Sequence, residues 1–298
     1  MTDALPNHLA AIPPEKLALL EAVVERLAAV PGVQAVALGG SYARGTQRLG
    51  SDLDVGIYYH ENEPFSIEAI RAAAADFAPE NPPDVTDFYG WGPWVNGGAW
   101  VHTPVTKVDF LYRNIEQVRR TIDEAHQGIT RHDFNQQPAF GFYSVIYLAE
   151  TNICLPLFDP HGVLANLKAL VAAYPPVLKE KTVASTLWMA EFSLLHADGY
   201  AEKGDVYATA GTLARVASYL TQALFALNET YYLTDKTALQ EIAAFRLAPA
   251  GYADRLQDIL AHIGRSPAEL LASVGAMRAL WSGVLTLTGG TYRPAFRV

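Results

Sequence analysis

Leu38-Gly39-Gly40-Ser41 is followed, after a connector of ten residues, by Asp52-Leu53-Asp54-Val55. The apolar run from Val33 to Leu38, bounded by Pro31-Gly32 and the glycine pair, predicts a buried strand that ends in a glycine turn. Because glycine has no Cβ, a phosphate can approach this backbone closely, and the Ser41 hydroxyl adds a donor. A short helix after the turn would add its N-terminal dipole. The first stretch therefore predicts a phosphate-binding loop.

Two carboxylates share one side of the next predicted strand. Since side chains alternate along a strand, Asp52 and Asp54 point one way while Leu53 and Val55 point the other. Like charges this close repel each other unless a cation neutralises them. Mg²⁺ prefers carboxylate and phosphate oxygens, and in phosphoryl transfer such ions brace the attacking and leaving oxygens. The pair predicts a Mg²⁺ site, with two ions expected; the alternative is an ordinary turn and a capped loop.

A third acid lies in the alternating segment from Val105 to Tyr112. Asp109 stands there among apolar residues, and no local turn explains it. Three acids on two neighbouring strands predict a metal site. The alternative is a structural ion pair, because Lys107 lies two residues away on the same face.

Together these residues resemble the nucleotidyltransferase superfamily, the DNA polymerase β-like fold that includes the aminoglycoside and lincosamide nucleotidyltransferases. The shared pattern is a hydrophobic residue, a Gly-Gly-Ser loop, a connector, an Asp-x-Asp and a later acid, and it covers roughly residues 15 to 115. The resemblance implies that Gly39-Gly40-Ser41 holds the triphosphate of an NTP co-substrate. It also implies that Asp52 and Asp54 bind Mg²⁺, and that Asp109 is either a third ligand or the base that takes the acceptor's hydroxyl proton.

The rest of the chain predicts an α+β protein with two domains. Residues 1–128 alternate helices and strands, and the resemblance implies that they form a nucleotidyltransferase α/β domain with a mixed sheet. Residues 129–298 read as successive amphipathic helices, apart from a short extended piece between Asn152 and Phe158, and predict an all-α bundle. In architecture this bundle resembles the accessory, substrate-binding domain of antibiotic nucleotidyltransferases.

Further candidate residues carry charge or an aromatic ring. Arg44 lies one turn beyond the loop and could neutralise phosphate charge, Lys203 could reach the triphosphate, and Tyr207 could stack on a base. Glu191 and Asp198 are seven residues apart, hence on one helix face, and Glu191 could orient an acceptor amine or hydroxyl. The alternative for the bundle residues is a solvated helix face and an ordinary turn.

The segment from Phe88 to Trp100 holds three of the five tryptophans. Its Asn96-Gly97-Gly98 predicts a hairpin turn. The aromatic rings could stack on a base or an acceptor ring, or they could simply pack the hairpin onto the sheet, the alternative that needs no ligand.

Composition limits the class of partner. Of the net charge of −9, residues 1–128 carry 9 Lys and Arg against 17 Asp and Glu, whereas residues 129–298 carry 13 against 14. An acidic catalytic half argues against a nucleic-acid partner and favours a small, cationic acceptor, although a negative surface also serves solubility. A single cysteine excludes an internal disulfide framework. No secretory signal is visible in residues 1–14 and no apolar run spans a membrane, so the expected location is the cytoplasm.

The resulting hypothesis is a Mg²⁺-dependent enzyme that moves an NMP from an NTP such as ATP to a hydroxyl of a small, aminoglycoside-like acceptor and releases pyrophosphate. Such a reaction is the chemistry of antibiotic resistance enzymes in the family it resembles. Two alternatives stay open: an antitoxin or regulator that acts on a protein or tRNA partner, and a degenerate homologue that binds nucleotide without turnover.

Overall fold

The computed structural model describes residues 12–137 and 139–296 of the chain. They divide into two compact units. Unit 1 comprises Met1–Asp123 and Tyr147–Ala173, and unit 2 comprises Glu124–Ile146 and Tyr174–Val298. The chain passes from unit 1 into unit 2 at residue 124, returns to unit 1 at residue 147 and enters unit 2 again at residue 174. The two predicted functional domains, in contrast, meet at a single boundary after residue 128, and that division stays a prediction. Most of the segment searched for a secretory signal, residues 1–11, lies outside the described residues.

Helices occur throughout the described part of the chain, whereas its last strand ends at Phe158. In chain order, the described residues form α1 Pro14–Ala28, β1 Val33–Leu38, α2 Gly40–Arg44, β2 Leu53–Tyr59, α3 Ile67–Phe77, β3 Gly98–His102, β4 Lys107–Asn114, α4 Ile115–His126, β5 His132–Asp133, β6 Phe142–Tyr143, α5 Val145–Ile153, β7 Leu155–Phe158, α6 Val163–Val171, α7 Pro176–Glu202, α8 Val206–Leu227, α9 Asp235–Ala244, α10 Tyr252–Ala261 and α11 Pro267–Thr286. None of these helices is long and apolar enough to cross a membrane.

Unit 1 is built on a five-stranded sheet with the order β3-β4-β2-β1-β7. β2 and β4 run parallel and the other neighbouring pairs are antiparallel, so the predicted mixed sheet and α+β class are confirmed. The extended piece predicted near residues 152–158 forms β7, which pairs with β1 at the edge of this sheet. Residues 155–158, which were predicted to follow the catalytic domain, therefore form an edge strand in the sheet of unit 1.

The two faces of the sheet are covered to different extents. On one face α1 and α3 bury residues such as Leu20 and Ile70 against Val55 and Phe110, in one large core cluster. Each such fully buried side chain contributes about 2 kcal/mol of hydrophobic stabilisation. The other face has a smaller cluster that includes Tyr58. Side-chain alternation puts Asp54 on this second, less covered face.

Side-chain caps mark the start of α3, α8, α9 and α11, and one cap expected from the sequence lies outside its helix. Ser66 caps α3 by accepting a hydrogen bond from the Ala69 N–H, as its position in the sequence predicts. Asp159-Pro160 predicts a helix that starts at the proline, with Asp159 as its N-cap, but α6 begins only at Val163. A turn in which the Gly162 N–H donates to the Asp159 carbonyl delays the helix. The Asp159 carboxylate still accepts from a first-turn amide of α6, so it serves the helix from outside.

Unit 2 is a helical bundle centred on α7, α8 and α11, with the two-residue strands β5 and β6 as a small antiparallel pair. Asp205 caps α8, and Ser266 and Glu269 form a reciprocal capping box at the start of α11. Pro175-Pro176 predicts the end of α6, but Pro176 also begins α7, because proline is tolerated in the first turn of a helix.

Candidate active site

The parallel pairing of β2 with β4 places two of the predicted acids side by side. Asp54 is in direct register with Asp109, and on the next strand Trp100 is in register with Asp109. Directly paired residues point to the same face of a sheet, so these three side chains form one row across β2, β4 and β3. Asp52 stands immediately before β2, with its side chain 39% exposed.

The glycine turn lies directly against this row. Gly39 is the N-cap of α2, and its N–H donates to the Asp54 carbonyl at 2.8 Å. Gly40 has a φ of +59°, and a Cβ at that position would lie 1.8 Å from Asp54 Oδ2. Glycine is thus required at residue 40 both by the backbone angle and by the packed carboxylate. Ser41 and Arg44 are partly buried in the same short helix.

A buried lysine fixes the connector between the loop and the aspartates. Lys16 Nζ donates to the Ser51 carbonyl at 2.7 Å and to the Tyr42 hydroxyl at 3.2 Å. These bonds tie α2 and the residue before Asp52 to α1. Lys16 was not among the candidates from the sequence, although it lies four residues before the core residue Leu20 and so shares its buried face.

Lys107 bridges two of the three aspartates. Its Nζ lies 2.8 Å from Asp52 Oδ2 and 3.2 Å from Asp109 Oδ2. The ion pair with Asp109, the alternative to a metal site considered above, is present, and it extends to Asp52. The other Asp109 oxygen, Oδ1, is buried and has no hydrogen-bond partner among the described residues. The cluster is therefore only partly neutralised.

Two of the three carboxyl groups, those of Asp54 and Asp109, have raised pKa values. Burial raises the pKa of Asp54 to about 6, and the charges of Asp109 and Asp52 add to the shift. Burial also raises the pKa of Asp109, against the opposing effect of Lys107. Burial alone would lower the pKa of Lys107, but its hydrogen bonds with Asp52 and Asp109 and their charges raise it. An added positive charge nearby would therefore favour the ionised forms of Asp54 and Asp109.

The donor chemistry of these residues fits a hard divalent cation. Asp52, Asp54 and Asp109 offer carboxylate oxygens only, and the partnerless Asp109 Oδ1 is a buried acceptor that a cation would satisfy. Within the part of the chain that the structure describes, no group of three or more His, Cys, Asp or Glu side chains is already arranged as a metal site. The ammonium group of Lys107 instead supplies the positive charge between Asp52 and Asp109.

The aromatic segment between α3 and β3 divides into a buried and an exposed part. Phe88 packs against Tyr59 and Tyr112, which favours the structural alternative for this ring. Trp91 and Trp100 stack with ring centroids 5.2 Å apart, and Trp100 is 58% exposed although it stands beside Asp109. The exposed Trp100 indole, which stacks on the partly buried Trp91, is available to a planar ligand.

The turn in this segment lies before the residues predicted for it: residues 93–95 form it, between Gly92 and Asn96, whereas Asn96-Gly97-Gly98 leads into β3. Asn96 has a φ of +68°, and its bridge with Gly92 closes the turn before β3 begins at Gly98. The buried Asn96 side chain donates to the Tyr59 hydroxyl at 2.8 Å and accepts from the Tyr89 N–H at 2.9 Å. These bonds fix the tryptophan-bearing turn to the sheet.

Four other candidate residues belong to unit 2. Lys203 is the C-cap of α7, and Tyr207, in the first turn of α8, is 92% exposed; their roles toward a nucleotide stay predictions. Glu191 is fully buried and accepts hydrogen bonds from the Tyr292 hydroxyl and from backbone amides of the C-terminal segment. Asp198 pairs with Arg278 at 2.7 Å. Both acids thus have structural partners, which favours the structural alternative for them.

Part of the chain matches a known protein family. Residues 18–124 match the family model described as a nucleotidyltransferase domain, and the match includes the glycine turn and all three aspartates. No curated protein matches the chain significantly. A solved structure, that of a nucleotidyltransferase-like protein from Exiguobacterium sibiricum 255-15, shares 9% identity over 90% of this chain and 74% of that chain, with a TM-score of 0.41. Residues 18–124 are therefore similar to nucleotidyltransferase domains, and this match supports assigning the chain to the transferases.

Proposed function

We propose that the chain transfers an NMP from an NTP, ATP among them, to a hydroxyl of a small-molecule acceptor such as an aminoglycoside. A bond forms between the acceptor oxygen and the α-phosphorus, the bond from the α-phosphorus to the bridging oxygen breaks, and pyrophosphate leaves with that oxygen. The observation that carries the proposal is the direct register of Asp54 with Asp109 beside a glycine turn that tolerates no side chain at residue 40.

The loop residues would bind the phosphates. The Gly40 backbone amide and the Ser41 hydroxyl are donors next to the carboxylate row, where a triphosphate oxygen would accept from them, while the Gly39 N–H holds the turn to the Asp54 carbonyl. Arg44, at the end of α2, would offset the charge that builds up on the departing pyrophosphate. These donors are held in place by α1 through Lys16, so the loop needs little reorganisation before it binds.

The aspartates would act on the acceptor side. Asp109 Oδ1 has no partner in the described structure and would accept the proton of the acceptor hydroxyl as the new bond forms. Asp52 and Asp54 would bind Mg²⁺, together with Asp109 where that residue is a ligand rather than the base. When bound, Mg²⁺ would supply positive charge for the phosphate oxygens at the reacting centre. Lys107 would then release the carboxylates that it now bridges.

The choice of acceptor is supported by charge and by the exposed indole of Trp100. Residues 1–128 contain nearly twice as many acidic as basic residues, which favours a cationic acceptor over a polyanionic nucleic acid. The Trp91 and Trp100 stack offers a flat apolar surface beside Asp109. An amino sugar has both the positive charge and the apolar ring face that such surroundings bind.

The experiment is a label-transfer assay with Mg²⁺, in which each NTP carries the label on either the α- or the γ-phosphate. The acceptors are aminoglycosides, lincosamides, tRNA and protein. The proposal predicts α-label on an aminoglycoside-type acceptor and no γ-label on any acceptor. Asp52→Asn should abolish transfer, whereas Asp84→Asn, at an exposed aspartate away from the cluster, should not. Transfer of the γ-label, or full activity of Asp52→Asn, would contradict the proposal.

A second function is favoured by one observation. Lys107 already bridges Asp52 and Asp109 and partly neutralises them, and such an arrangement would suit a protein that binds nucleotide without turning it over. This alternative predicts NTP binding without pyrophosphate release in the same assay. Pyrophosphate production with any acceptor excludes it.

A further inference from the structure

Unit 2 contains a cavity of about 210 Å³ that none of the candidate catalytic residues lines. Fourteen residues line it, and all of them belong to unit 2. They come chiefly from α7, from α8 and from the β5–β6 pair. The volume is sufficient for one small ring system.

A buried amide without a partner faces this space. Gln222 lies in the interior of α8 and is only 5% exposed. Its side-chain amide has two donor hydrogens and an acceptor oxygen, and it makes no hydrogen bond with any residue that the structure describes. Thr182 Oγ1, also in the lining, is buried and likewise has no partner among the described residues. Buried polar groups are rarely left unsatisfied, so two in one cavity point to a bound polar molecule.

The aromatic residues of the lining are held rigidly. His132 and Tyr143 stack in parallel, with ring centroids 4.1 Å apart, and Tyr232 meets Tyr143 edge to face. Their polar atoms are already engaged: His132 Nε2 donates to the Phe140 carbonyl, and the Tyr143 hydroxyl is 2.7 Å from Ser218 Oγ. What these residues can offer a ligand is therefore mainly aromatic surface, which favours a planar ring.

The lining also limits the ligand's charge. No aspartate, glutamate, lysine or arginine is found among the described residues that line the cavity. Arg215 donates to the hydroxyl of the lining residue Tyr219 at 3.0 Å, and Asp235 accepts from the hydroxyl of the lining residue Tyr232, so lining hydroxyls engage both charges. A charged group would lose its hydration here without gaining a counter-charge, so the ligand is expected to be neutral.

We propose that this cavity binds an uncharged, planar ring whose edge carries a hydrogen-bond donor next to an acceptor, as in a carboxamide or a nucleobase. Gln222 pairs with that edge through two hydrogen bonds, one donated and one accepted. The aromatic residues hold the faces of the ring. The site is separate from the proposed transfer reaction, since its lining excludes the aspartates, the glycine turn and Lys107.

The test is calorimetric titration of the full chain with benzamide and, separately, with adenine, because these probes carry the same edge from two chemical sources. The probe that binds more tightly identifies the chemical source of the ligand, a carboxamide or a nucleobase. Benzoate and toluene serve as the charged and the apolar analogues. We expect binding of benzamide or adenine, and binding about tenfold weaker or absent for benzoate and toluene.

The decisive variant is Gln222→Met, which keeps the length of the side chain and removes the amide. It should fold, with a melting temperature equal to or above that of the parent chain because a buried unpaired amide is gone, and it should bind the probe at least about tenfold more weakly. The matched control is Gln257→Met, at an exposed glutamine of α10, which should bind as the parent does. No binding of either amide probe, or equal binding by Gln222→Met or by toluene, would overturn the proposal.

Discussion

Two acidic sites of the molecule show why burial by itself does not define a functional residue. Glu191 in unit 2 is fully buried, yet its carboxylate accepts hydrogen bonds from a tyrosine hydroxyl and from backbone amides. Asp109 in unit 1 is less buried, at 15% exposure, yet one of its oxygens has no partner in the described structure. Both acids are candidates from the sequence. The structure distinguishes them by whether their hydrogen-bonding capacity is used.

The difference extends to the surroundings of each acid. The C-terminal segment that donates hydrogen bonds to Glu191 belongs to the same unit, so the hydrogen-bonding capacity of this carboxylate is used without a ligand. Around Asp109, two further carboxylates compete for one ammonium group, and the pKa of Asp54 rises to about 6, first through burial and then through these neighbouring charges. A satisfied buried acid stabilises the fold, whereas an incompletely neutralised cluster is available for a ligand. Four variants test that distinction.

The largest effect is expected from Asp54→Asn. The amide keeps the shape of the side chain but removes the charge that would hold the cation, so transfer should fall by at least about 1,000-fold. Label transfer measures the rate, and circular dichroism should show an intact fold. Asp84→Asn is the matched control. Wild-type transfer by Asp54→Asn would mean that the row of acids is not the reaction site.

Gly40→Ala should come next. A Cβ would lie 1.8 Å from Asp54 Oδ2, so the carboxylate must move, and we expect transfer to fall by about 100-fold. Gly162→Ala is the control, because Gly162 has a similar φ of +68° but open space around the position of its Cβ. Both variants carry the backbone strain, and only the first displaces the aspartate. Equal activity of the two would show that the loop does not position Asp54.

Glu191→Gln should affect stability instead of transfer. The neutral side chain loses charge-assisted hydrogen bonds, and its new N–H₂ group faces backbone donors, so the free energy of unfolding should fall by about 2 kcal/mol. Chemical denaturation measures this change, and transfer per folded molecule should equal that of the parent chain. Glu180→Gln, at an exposed position of α7, should change stability by less than about 0.5 kcal/mol. A transfer defect without loss of stability would make Glu191 part of the reaction site.

The smallest effect is expected from Lys107→Met. In EDTA the variant should melt about 2 °C lower, because Asp52 and Asp109 lose a partly exposed counter-charge. Added Mg²⁺ should raise the melting temperature of the variant more than that of the parent, since the carboxylates then lack any other cation. Lys179→Met removes an ion pair with Glu229 in unit 2 and should show no such dependence on Mg²⁺. If Mg²⁺ raised the melting temperature of all three proteins equally, Lys107 would not be part of the cation site.

Features with a local signal were predictable from the sequence. The glycine turn and the shared face of Asp52 and Asp54 follow from residue spacing and side-chain alternation, and the mixed sheet follows from the family resemblance; the structure has the turn and the sheet where they were expected. Capping residues such as Ser66 could be predicted as well, because a cap forms its hydrogen bond with a residue only a few positions away.

Features that depend on long-range pairing were not predictable. The direct register of Asp54 with Asp109 depends on how two distant segments align, and β7 joins the sheet from beyond residue 150. The sequence placed Lys107 near Asp109 but could not show that it also reaches Asp52. The partners of Glu191 are about a hundred residues away, at the C-terminal end of the described chain. The periodicity of the sequence predicts which face of a helix or strand a residue occupies, but it does not predict which other element packs against that face.

Whether the row of acids is the reaction site can be tested by a crystal structure of the chain with Mn²⁺ and a non-hydrolysable NTP analogue, in which anomalous scattering locates the metal. We expect a metal peak at roughly 2.1 Å from carboxylate oxygens of Asp54 and of Asp52 or Asp109, with the triphosphate on Gly39-Gly40-Ser41 and Lys107 moved off the aspartates. A bound nucleotide whose metal lies away from all three aspartates would refute this assignment.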